Sequence, residues 1–228
     1  MCWSGEASAV LATVGLGSTA YVAYKGEDRG LWMPLGYFAL MEMLQAFTYA
    51  KIDQCSDPWN QIFTLFGYLH IAFQPFFINM VAMHFAGKAV QEKLAPLVYT
   101  VCFIGSILML IKMYPFSWAG TCHTGPYGPL CSEILCSTHG SWHIAWNIPL
   151  NNIAVIGYVG YGFPAFILPL LYGSWRFTIY QIIAGPLLAR MTTNNMNEWP
   201  AVWCLFSIAL LLAVIKTPVR KHLYVNRS

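Results

Sequence analysis

Long apolar stretches alternate with short polar connections along the whole chain. Seven of them stand out, at about 7–24, 31–50, 61–86, 94–114, 149–172, 174–191 and 200–217. Runs of roughly 20 apolar residues are the length that crosses a bilayer as a helix. The pattern therefore predicts an all-α, polytopic bundle of seven transmembrane helices forming one domain over residues 1–228. The one long connection, about 115–148, is rich in Cys and His. The opening "MCWSGEASAV" has no basic stretch before its apolar run, so that run is read as a retained helix. Its small residues, Gly15 and Ala12 among them, suit close helix packing.

The sixth stretch is the one closed in by charge, with Arg176 and Arg190 bracketing an apolar core of 13 residues, about 20 Å of helix. It spans if both arginines snorkel to the interfaces. Charge bias favours that reading. Seven spans put Lys25, Arg29, Lys88, Lys93, Arg176, Lys216, Arg220, Lys221 and Arg227 on one side, and Lys51, Lys112 and Arg190 on the other. The basic side is the cytoplasmic one. The N-terminus and the Cys-rich loop then face outward, and the C-terminus inward.

Composition agrees. The 228 residues are 57% hydrophobic and only 9% charged, against about 25% charged in an ordinary soluble domain. The net charge of +3 is small, and no basic-aromatic patch argues for nucleic acid as a partner. Membrane lipids, other membrane subunits and a small ligand or ion are the partners this composition admits. Cys2, Cys55, Cys122, Cys131 and Cys136 all fall on the outward side, where disulfides are stable. Five such cysteines allow two bridges and a free thiol, in an order that spacing does not fix.

Polar residues inside the apolar stretches are costly and face the bundle interior. Glu42, Gln45 and Tyr49 share one face of the second stretch. His70, Gln74 and His84 share a face of the third, with Asn79 opposite and Pro75 placed to bend the helix. His139, His143, Asn147 and Asn151 recur every four residues and are read as an amphipathic helical turn ahead of the fifth stretch. Glu42 and His70 lie at similar depth, so the two are expected to pair. Glu42 would be the proton-titrating group, with Gln45, Gln74, His143 and Asn147 orienting a small ligand, ion or proton in transport or sensing.

Two other functional classes stay open. One is an enzyme using haem between His70 and His143, or a transition metal at His139 and His143, on a redox or lipid substrate. The other is a structural subunit of a larger membrane assembly. No G-x-S-x-G elbow or HExxH helix supports hydrolysis.

The segments "MCWSGEAS", "MEMLQAFTY", "DQCSDPWN", "YLHIAFQPFFINM" and "HIAWNIP" resemble an uncharacterised family of seven-helix membrane proteins. That resemblance implies the helix count and brings no activity.

Overall fold

The structure is a computed structural model describing residues 3–122 and 129–225. Four helices fill the first half: α1 (Gly5–Tyr24), α2 (Arg29–Tyr49), α3 (Pro58–Ala86) and α4 (Lys88–Ile111). Each of the first three starts at a capping side chain. Ser4 accepts from Ala7 N, Asp28 from Gly30 N and Asp57 from Trp59 N, which satisfies donors the helix leaves open. Pro58 opens α3, where its missing N–H costs nothing.

Helices α5 (154–171) and α6 (175–192) follow a small sheet, then α7 (Trp199–Lys216) and a short α8 (Val219–Leu223). Both α5 and α6 carry wide π-helical turns, at Tyr158–Ile167 and Ile183–Leu187, each containing a proline. All seven expected apolar stretches thus carry a helix. By length and composition, α1, α3, α4 and α7 are long and apolar enough to cross a membrane, and Val155–Leu171 is a shorter apolar helix.

The helices pack closely where glycine allows it. A Cβ on Gly15 of α1 would stand 2.7 Å from the Ala39 Cβ of α2. On Gly105 of α4 it would stand 2.5 Å from the Gly160 carbonyl of α5. Neither crossing could form with a larger residue.

The connection from α4 to α5 corrects the sequence expectation. It is a three-stranded sheet, not a helical turn: β1 (Cys131–Ser132), β2 (Cys136–His139) and β3 (Ile144–Pro149), in the order β1-β3-β2. β2 and β3 form an antiparallel hairpin, pairing Cys136 with Asn147 and His139 with Ile144. Ile144, Trp146 and Ile148 are buried in the main core. Their period of two is what a strand with one buried face requires. The fifth helix consequently begins at Ala154 rather than at 149.

Two disulfides hold this sheet. Cys55–Cys136 ties the α2–α3 connection to β2, and Cys122–Cys131 closes the loop leading into β1. Cys102 and Cys204 are free and buried; Cys2 lies outside the described residues. Asn60 reinforces the first tie, donating to Lys51 O and Ser137 O and accepting from Ser137 N.

Peptide mapping under non-reducing conditions should recover Cys55 linked to Cys136 and Cys122 linked to Cys131. The Cys55→Ser, Cys136→Ser double variant should lose about 2–4 kcal/mol in thermal or denaturant unfolding. Recovery of other pairings would refute this account of the cap.

Candidate functional site

One carboxylate ties the β2–β3 turn to the start of α7. Glu198, just ahead of α7, is fully buried. It accepts from the backbone N–H of Ser141 (2.7 Å), Trp142 (2.9 Å) and His143 (2.9 Å), and from the Ser141 hydroxyl (2.9 Å). Three successive backbone donors form a nest for an anion. Gly140 makes room for it, since a Cβ there would stand 2.2 Å from the Glu198 carboxyl carbon. Burial alone would raise the Glu198 pKa, but the hydrogen bonds from His143, Trp142 and Ser141 outweigh it and hold the carboxyl below its ordinary value. Nothing in residue spacing pointed to Glu198, because a backbone nest has no side-chain signature.

The nest fixes His143, which is fully buried. Its Nδ1 hydrogen-bonds the Tyr49 hydroxyl at 2.9 Å. Its ring lies between Tyr49, at 5.9 Å, and Trp3, at 5.7 Å. Trp3 also donates from Nε1 to the Ser8 hydroxyl at 2.7 Å, and Ser8 neighbours the Glu42 carboxyl. The α2 stripe and the hairpin histidine therefore do converge. Tyr49 lies within electrostatic reach of both Glu42 and Glu198.

The second group lies on α3. His70 stacks on Tyr37, ring centroids 3.7 Å apart, and its carbonyl accepts from the Tyr37 hydroxyl. Gln74 accepts at Oε1 from the Tyr161 hydroxyl at 2.7 Å. The buried Cys204 of α7 lies within electrostatic reach of Glu42 in the first group and of Tyr37 and Tyr161 in the second. Together with Gln45 of α2, these interior polar side chains of α2, α3 and the hairpin are the polar seam of the bundle.

Several expectations are corrected here. Among the described residues no ion pair joins Glu42 to His70. Equal depth along two helices does not fix the direction in which each side chain turns. Asn147 belongs to the hairpin, donating to the Thr138 hydroxyl and accepting from Asn197. His139 and His143 do not form a metal pair. His139 is exposed and held by Asp53, while His143 is buried against Tyr49, because strand geometry replaces the helical i, i+4 face. Among the described residues no group of three or more His, Cys, Asp or Glu side chains could hold a metal ion. His84 sits at the opposite end of the bundle, bonded to Asp28 and Tyr224.

The seam is set apart by what its side chains lack. Seven buried atoms have no hydrogen-bond partner among the described residues: Glu42 Oε1 and Oε2, Gln45 Nε2 and Oε1, His70 Nε2, Gln74 Nε2 and His143 Nε2. Buried polar atoms are otherwise nearly always paired. Asn79, also buried in α3, shows the contrast. It donates to Pro75 O and Pro164 O and accepts from the Tyr172 hydroxyl.

A family model matches residues 6–224. The chain belongs to DUF5765, a family of unknown function. No curated protein and no solved structure matches the chain.

The pH dependence of stability follows from His143 and Glu198. Burial pushes the His143 pKa down from 6.5 to about 3. The unfolded chain then binds a proton that the folded chain refuses as pH falls from 6.5 towards 3, so stability drops by up to about 1.4 kcal/mol per pH unit over that window. Glu198, with its pKa lowered, adds a loss at the acidic end as it is protonated. Thermal melts from pH 7 to pH 4 should show a falling midpoint, with a flatter limb in His143→Gln. Glu198→Ala should cost at least about 2 kcal/mol at pH 7, since it leaves buried donors unpaired.

Proposed function

We propose that this is a seven-span membrane protein whose buried polar seam binds and releases a proton at Glu42 in the course of moving or sensing a small solute. The observation that carries this reading is the set of seven unpartnered polar atoms on Glu42, Gln45, His70, Gln74 and His143. A carboxylate without a partner in hydrocarbon costs several kcal/mol. Glu42 therefore carries a proton at rest, and its neighbours supply sites for a polar guest. His70 acts beside this group rather than as its ion-pair partner. The Tyr49–His143 contact links the seam to the hairpin end of the bundle.

Seven spans account for the apolar exterior of the helices that are less apolar overall. Leu40 and Phe47 of α2, Val155 and Leu171 of α5, and Ile179 and Ile183 of α6 are all exposed. Arg176 and Arg190, near the two ends of α6, lie against Trp175 and Trp199, as interfacial anchors would. The charge bias puts the disulfide-tied hairpin outside, in the compartment where disulfides persist, and the α8 end inside.

Infrared spectra of the protein in lipid nanodiscs should show the carbonyl band of a buried protonated carboxylic acid. Glu42→Gln should abolish that band. Its absence in the wild type, or its persistence in Glu42→Gln, would sink the proposal. For sidedness, in a Cys2→Ser background an impermeant maleimide should label Glu133→Cys on intact cells, and Lys93→Cys only after permeabilisation. Labelling of Lys93→Cys on intact cells would reverse or break the topology.

A further inference from the structure

A second site lies beside the polar seam and shares none of its unpartnered side chains. It is a cavity of about 400 Å³ bordered by α3, α4, α5, α6, the residues flanking the sheet and the start of α7. That volume is within the roughly 300–1,000 Å³ range of small-molecule sites. Its wall is aromatic and apolar, with Tyr161, Phe166, Trp199 and Trp203 prominent, and Lys112 is the one charged side chain among the lining residues. Lys112 caps α4, is half-buried, and among the described residues makes no ion pair. Its Nζ stands beside Gly157, where a Cβ would be 3.5 Å away.

The backbone gives an independent pointer. Tyr158, Tyr161, Gly162 and Phe166, from the π-helical turns of α5, line the cavity, as does Pro186 from those of α6. π-Helical turns are uncommon and recur at functional sites. Here both described stretches border the same space. Tyr161 also bonds Gln74, which puts a wall of the cavity in direct contact with the seam.

We infer that this cavity binds a single-chain anionic amphiphile, with the acid headgroup on Lys112 and the hydrocarbon among the aromatic side chains of α5 and α7. One unpaired cation calls for one anion, and an apolar wall for one hydrocarbon chain. A volume near the lower end of the range favours one chain over the two of a diacyl lipid. Gly162 adds a handle, because a Cβ built there meets nothing within 4 Å.

The test is equilibrium binding of tritiated palmitate to the purified protein in a non-ionic detergent. Saturable binding of one palmitate per chain is expected, with displacement by hexadecyl phosphate and not by hexadecanol. Lys112→Gln should weaken it by roughly tenfold or more, the loss of one charge-assisted contact. Lys112→Arg should retain it, and Gly162→Phe should block it. Monodisperse elution and an unchanged melting midpoint establish that each variant is folded. No saturable binding by the wild type, displacement by hexadecanol as effective as by hexadecyl phosphate, or wild-type affinity in folded Lys112→Gln would overturn the inference.

Discussion

The buried Glu198 carboxylate sets where the sheet meets the helices. It gathers the N–H groups of Ser141, Trp142 and His143 into one point at the head of α7. A charge in that position is tolerable only because four donors replace its water. The consequence is geometric. His143 can present its ring to Tyr49 and Trp3 only when the turn is seated, so the polar seam depends on an anion that belongs to no part of it. The Cys55–Cys136 bridge and Asn60 hold the other end of the hairpin, and together these ties make the cap rigid.

Polar side chains within the helices divide into two physical classes. One joins neighbouring helices and is satisfied. Ser106 donates to Ala72 O, Gln181 to Ala165 O, Ser174 to Ala82 O and Tyr68 to Met109 O. Such bonds contribute about 0.6–2 kcal/mol each to helix association. The other class is the seam, in which acid, amide and imidazole groups remain open beside satisfied neighbours. A sequence adapted for packing alone would place apolar side chains at Glu42 and Gln45, since an unpaired buried polar group costs more than a hydrophobic one of similar shape.

The helices were legible in the sequence because apolar length is a strong signal, and the grouping of five cysteines at one end of the expected helices anticipated two bridges. Their pairing was not legible, because it depends on which loops the bundle brings together. The hairpin was missed for a specific reason. His139, His143, Asn147 and Asn151 repeat every four residues, while Ile144, Trp146 and Ile148 alternate every two. The short second pattern is the one that folding obeys, since it buries three large side chains. Glu42, Gln45, Gln74 and His143 are all buried, as polar residues facing the interior must be. What counting along a helix could not supply was the direction in which each side chain turns: no ion pair joins Glu42 to His70 among the described residues, whereas Tyr49 at the end of α2 bonds His143 of the hairpin turn.

The π-helical turns of α5 and α6 have a mechanical meaning. A wide turn holds an extra residue that an α-helix of the same span would not. Sliding such a turn along its helix by one residue swings every side chain on the traversed stretch to a new azimuth without breaking the helix at either end. Tyr161 rides on that stretch in α5, with Gln74 on one side and the cavity on the other. The direction of the Tyr161 hydroxyl is thereby tied to where that wide turn sits along α5.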